Sequence, residues 1–342
     1  VCPDEAGWST SRGVAARPEQ QWRLEHVVDF RYHLVSIIAV FLALAVGIVL
    51  GTTALQGPVL NDLRSNIQRL SADKRTLEGE VGGLRSQVGA ADEFVAAVGP
   101  GLVRGTLAEQ SVLVVTTPET PADVVKRLIV LLGQAGAQVT GQLRVLPALS
   151  DPEQAQLVED LVAEVVPAGV DLPDGEPVER ATVELAAALT SPPGGAGVDP
   201  DEAQAVLSAF EEADLIQFDS DGGVLRTANL AVVLTGPAPA AALEPAQTAA
   251  QKAMLSLAAA LDQRARGAVV AGPFTSGDER GLVGALRDDS SLAREVSGVD
   301  NADRGTGMVA VVLALAEQGR GGAGQYGGGR RAAGALPGPP GP

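Results

Sequence analysis

Residues 34–55 carry no Asp, Glu, Lys or Arg, and positions 34–50 are almost wholly apolar. At about 1.5 Å of rise per residue, roughly twenty such residues form a helix long enough to cross a hydrocarbon core of about 30 Å. A helix satisfies its own backbone groups in lipid, so Ser36, Gly47, Gly51, Thr52 and Thr53 dilute the segment without disqualifying it. A buried core helix is rarely uncharged for so long. A signal peptide has a shorter apolar region, about 7–15 residues, ending at a small-residue cleavage site. The run therefore predicts a retained transmembrane helix over residues 34–55, with membrane lipid as the first partner.

Positive charge orients that helix. Arg23 and Arg31 lie just before it, with Tyr32 and His33 at the interface, whereas the first basic residue after it is Arg64. The positive-inside rule then keeps residues 1–33 as a cytoplasmic tail and puts the bulk of the chain outside the cytoplasm, at an inner or outer envelope membrane. The chain opens on Val1 and has no methionine before Met254. Residues 1–26 are poorly patterned, so translation is expected to begin near Val27 or Val28 from a non-AUG codon. The upstream stretch is then either a disordered tail or no part of the natural product. Lysine occurs only at Lys74, Lys126 and Lys252 among abundant Arg, Ala, Gly and Pro, as in a high-G+C bacterial genome.

The remaining chain is long enough for one globular domain, and its net charge of −17 argues against a nucleic-acid partner. Cys2 is the single cysteine, so no internal disulfide can form and the domain rests on its core.

Gly57-Pro58 is expected to break or kink the helix after the anchor. A heptad register follows over residues 59–98. Leu60, Ile67, Lys74, Val81 and Val88 fall at a, and Leu63, Leu70, Leu77 and Leu84 at d. β-Branched residues at a with leucine at d favour a parallel two-stranded coiled coil, which makes the chain a homo-oligomer. Gly79, Gly82 and Gly83 weaken such a coil. The competing reading is an amphipathic helix folded back on the globular part. The seam continues through Ala91, Val95 and Val98, and Gly99-Pro100-Gly101 is expected to end the helix.

Over residues 105–318, short apolar runs alternate with helical patterns. Residues 112–115, 138–145, 230–234 and 268–271 read as strands, and residues 123–135, 152–166, 177–189, 200–213 and 245–262 as helices. Residues 308–315 look strand-like at their start. Continuous apolar strands separated by helices predict a mainly parallel, doubly wound α/β domain. Residues 319–342, rich in Gly, Pro and Arg, are expected to be disordered.

Few residues suggest chemistry. His26 and His33 are the only histidines, which removes triads and histidine-bearing zinc sites from the outer domain. Glu211–Glu212 and Asp288–Asp289 read as solvated acid pairs, and Asp219-Ser220-Asp221-Gly222 as a turn, since the twelfth position of a calcium loop would be Leu230. In a doubly wound sheet, a ligand crevice lined by Thr116, Thr117, Thr235, Gly236 and Gly272 would lie beyond the carboxyl ends of the strands; ordinary strand-to-helix turns are the competing reading. Met254 and Met308 are soft copper(I) ligands by type, but isolated methionines at apolar positions are more often core filler.

The motifs HLVS (residues 33–36), AVFLALAVGIVLG (39–51), the leucine heptads, ADEF (91–94), SVLVVTTPETPADVV (111–125), LLGQAGAQVTG (131–141), TANLAVVLTG (227–236) and GQYG (324–327) occur in this order. Together they resemble the actinobacterial copper transporter MctB family over roughly residues 29–329. The resemblance implies a pore-forming protein of a mycolate envelope that helps keep intracellular copper low, with copper as transported ion, no cofactor and no enzymatic activity. The residues themselves show neither the alternating segments of a transmembrane barrel nor a soft-ligand cluster. A non-catalytic scaffold, in which a coiled coil holds an α/β ligand- or partner-binding module, is the alternative.

Overall fold

A computed structural model describes residues 26–338, apart from Ala196 and residues 221–223. The proposed cytoplasmic tail and the alternative start sites before residue 26 lie outside it. The chain divides into two units, residues 1–84 and 85–342.

In the first unit the described residues are one helix, the leading part of α1 (His26–Val103). Its apolar stretch Phe30–Gly51 is 22 residues long and wholly unburied, with its leucines, isoleucines and phenylalanines exposed. The break expected at Gly57-Pro58 is corrected, because α1 runs through it. Pro58 removes one backbone donor, at a cost of about 3 kcal/mol, without ending the helix. Leu63, Ile67, Leu70, Leu77, Val81 and Leu84 are exposed along the helix.

The second unit opens with the end of α1, which passes Gly99-Pro100-Gly101 and stops at Val103. There Thr106 N–H donates to the Val103 carbonyl and Gly105 turns into the left-handed region (φ +74°). Among the described residues seven strands follow: β1 (Ser111–Thr116), β2 (Gln138–Val145), β3 (Ile216–Ser220), β4 (Leu230–Leu234), β5 (Ala268–Ala271), β6 (Ser297–Val299) and β7 (Gln325–Tyr326). They form one sheet in the order β3-β2-β1-β4-β5-β6-β7. Every pairing is parallel except the edge pair β2–β3. The helices are α2 (Ala122–Gln134), α3 (Ala155–Val165), α4 (Pro177–Leu189), α5 (Pro200–Glu212), α6 (Pro245–Arg264), α7 (Leu282–Asp288) and α8 (Gly305–Gln318).

Because side chains alternate across a strand, each central strand feeds two cores. Leu113, Val115, Ala231, Val233 and Val270 pack with α3–α7. Val112, Val114, Leu230, Val232, Val269 and Ala271 pack with α2, α8 and Val103. Burial on both faces is why these strands read as unbroken apolar runs rather than as alternating ones.

Three expectations fail here. Residues 308–315 lie in α8, where Ala and Leu at helical spacing outweigh the valines. Asp219 and Ser220 pair with Gln142 and Gly141 at the end of β3 rather than in a turn; residues 221 and 222 lie outside the described residues. Residues 319–338 are ordered. β7 pairs with β6, and the buried Asp300 carboxylate accepts Gly328 N–H (2.8 Å), Gly329 N–H (3.0 Å) and Arg287 Nη1 (2.7 Å). Arg287 also donates to the carbonyls of Tyr326 (2.7 Å) and Arg330 (3.0 Å). Gly327 is at φ +125°, and a Cβ there would sit 2.2 Å from Asp300 Oδ1, so this turn requires glycine.

Candidate functional site

The sheet order places β1 and β4 side by side, while β1 leads through α2 to β2 on one side and β4 leads through α6 to β5 on the other. A crevice opens at the carboxyl ends of two such strands. A pocket of about 490 Å³ lies there. Its walls are the exits of β1 (residues 117–119), β2 (145–151) and β4 (235–239), the N-terminal half of α6, and residues 280–282.

Of the five residues expected at this crevice, Thr117, Thr235 and Gly236 line it. Thr116 does not, because its buried Oγ1 turns back toward the Leu143 carbonyl (3.5 Å). Gly272 is also off the wall, packed against Thr235 and Ser276, where a Cβ would meet both side chains at 2.6 Å. The Gly236 Cβ position is 2.6 Å from Glu119 Cβ, so glycine is what lets the β1 and β4 exits approach.

Buried Thr120 ties those exits together. Its Oγ1 donates to the Leu234 carbonyl (2.9 Å) and accepts Thr117 N–H (3.1 Å). Proline follows each of the three exits, as Pro118, Pro147 and Pro237, and each removes a backbone donor from the wall. The polar groups are few. Gln247 completes the α6 capping box by accepting Glu244 N–H (3.0 Å), and Gln251 Nε2 donates to the Arg280 carbonyl (3.2 Å). Glu119, Asp151 and Arg280 add charge at the wall.

Metal chemistry finds little purchase. Among the described residues no group of three or more His, Cys, Asp or Glu is placed to hold an ion. Met254 packs in the core on one face of the sheet and Met308 in the core on the other, so they cannot share one. The acid pairs serve the fold. Glu211 accepts Phe218 N–H (2.7 Å), and Asp288 pairs with Arg331. Asp289 caps Ser291 and Leu292, which holds its carboxyl below the usual range.

Composition gave no hint of Glu184. It is fully buried on α4 with neither carboxylate oxygen hydrogen-bonded, and burial pushes it up to about 7 against the pull of Arg180. Asp262, at the end of α6, is pushed up to about 6, again by burial, although Ala268 N–H donates to it (2.8 Å).

Residues 27–337 match the family described as "Copper transport outer membrane protein, MctB". A protein named copper transporter MctB from Mycobacterium tuberculosis (strain H37Rv) is 32% identical over 312 residues, covering 90% of this chain and 98% of that relative. The protein of the same name from Mycobacterium leprae is 29% identical over 311 residues, covering 88% and 96%.

Proposed function

The chain belongs to the family of MctB copper transport outer membrane proteins, and from that premise we propose that it is an anchored envelope protein through which copper leaves the cell. The observation that carries this reading is the near full-length match to relatives named as copper transporters. Copper is cargo here, not a resident cofactor. With no three-ligand cluster among the described residues, passage relies on a pore made by several copies and on an acidic chain, net charge −17, that gathers cations. The chain is read as non-catalytic, in keeping with the family's name.

Three finer parts belong to the same proposal. The anchor is residues 34–55, and Arg23 and Arg31 keep its amino side in the cytoplasm. The exposed seam from Leu63 to Leu84 pairs with a second copy as a parallel coiled-coil stalk. The α/β part is doubly wound, supported by α2 and α8 in one core and α3–α7 in the other.

A deletion strain tests the whole. It should become copper-hypersensitive and accumulate copper, and the full chain should reverse both while a chain lacking residues 30–51 should not. Purified full-length protein should conduct ions in planar bilayers. Wild-type copper tolerance together with silent bilayers would sink the reading. The specific observation behind the scaffold alternative is the pocket, in a domain whose described residues include no group of three or more His, Cys, Asp or Glu placed to hold an ion. One stoichiometric partner and no ion flux would favour it.

A further inference from the structure

We propose that the pocket at the carboxyl ends of β1, β2 and β4 binds an uncharged, mainly apolar small organic molecule, and that its walls reject phosphate-bearing ligands. The proposal stands on the pocket and is independent of the copper reading.

Sheets of this order usually take a phosphate where the first strand hands over to its helix, on free backbone N–H groups of a glycine-rich turn. Here that turn is Thr117-Pro118-Glu119-Thr120-Pro121. Pro118 and Pro121 have no N–H. Thr117 N–H is taken by the Leu234 carbonyl (3.3 Å) and Thr120 Oγ1, and Thr120 N–H by the Thr117 carbonyl (3.1 Å). Glu119 N–H is the donor left in this turn, and the Glu119 carboxylate puts a negative charge beside it. Pro147 and Pro237 remove donors at the other two exits. Asp151 adds a second acid against the single Arg280, so the wall opposes anions in charge as well as in donors.

What remains favours apolar matter. Leu146, Leu243, Ala250, Met254 and Leu282 are among its apolar lining residues. A volume of about 490 Å³ falls within the ~300–1,000 Å³ of small-molecule pockets. Gln247 and Gln251 are one turn apart on the same face of α6. Gln247 Oε1 accepts one local bond and Gln251 Nε2 donates one. The Gln247 amide NH2 and the Gln251 amide oxygen keep their capacity, which suits a neutral amide, ester or alcohol.

Photolabelling of the full chain in nanodiscs tests this. The probe is the neutral, apolar 3-trifluoromethyl-3-phenyldiazirine, read peptide by peptide by mass spectrometry. Peptides spanning residues 145–151 and 243–254 should label saturably, and benzanilide, a neutral amide, should protect them while ATP should not. Ala250→Trp, which fills the pocket, should lower their labelling at least tenfold and leave labelling of residues 30–51 unchanged. If that variant lacks a cooperative thermal transition, Ala246→Phe gives the same reading from the rim. Unlabelled pocket peptides, protection by ATP, or labelling indifferent to a folded filling variant would each overturn the proposal.

Discussion

Two buried ionisable arrangements decide different things. Glu184 has no partner for either carboxylate oxygen, so the fold favours its protonated form. Its folded value near 7 stands above the ordinary 4.5, and the folded chain therefore holds a proton that the unfolded chain releases. Stability should fall as pH rises from about 4.5 to about 7 and level off above; Asp262 adds the same slope between about 3.8 and 6. Glu184→Gln removes the ionisation but keeps the shape. It should raise stability by about 1–3 kcal/mol at pH 8 and change it little at pH 4.5, measured by denaturant unfolding at both pH values. An equal gain at both would contradict the assignment. Asp300 is the opposite case, a buried acid fully engaged by Arg287 and by Gly328 and Gly329 N–H. Asp300→Asn leaves Arg287 as a buried charge without a counter-ion, and should cost about 3–5 kcal/mol. Limited proteolysis should then cut first within residues 327–331, which Asp300 and Arg287 hold in place.

At the scale of elements, α8 is capped by another helix. Its own N-cap is Arg304, whose side chain caps no N–H of the first turn, and Asp92 on α1 instead accepts Gly305 N–H (3.1 Å) and Arg304 Nη1 (3.2 Å). Asp92→Ala should cost about 1 kcal/mol, the usual worth of an N-cap, with amide exchange rising first at the start of α8. The same helix carries the proposed seam, and a cysteine test separates its faces. In a Cys2→Ser background, Leu70→Cys at a d position should cross-link two copies, whereas Ser65→Cys at f should not. Cross-linking of both or of neither would reject the parallel coil. What could be read beforehand follows from length and periodicity. The strands at 138–145, 230–234 and 268–271 and the helix at 177–189 match their observed ends because each is long or uniformly apolar and closed by Pro or Gly. β3, β6, β7 and α7 were missed because two to seven residues cannot express a period. The glycine-rich C-terminus looked disordered because the group that orders it, Asp300, is about thirty residues away and visible only in space. Three of the five crevice residues reach the pocket, since strand ends locate the crevice but not the direction in which Thr116 turns.

For the whole molecule, the governing contrast is between a 22-residue helical stretch that buries none of its apolar residues and a domain whose central strands are buried on both faces. Exposed leucine, isoleucine and phenylalanine over 22 residues have no favourable environment in water, and a bilayer supplies one. The proposed orientation, with the α/β domain outside the cytoplasm, rests on the sign of the flanking charge. The loop after α4 allows a direct reading, because Ser191 follows the helix end at Leu189 and the domain has no cysteine of its own. In a Cys2→Ser, Ser191→Cys chain, a membrane-impermeant maleimide should label intact cells to the same extent as lysed ones. Labelling at least tenfold stronger after lysis would place the domain inside. The anchor would then stand, but copper export through an extracytoplasmic domain would not.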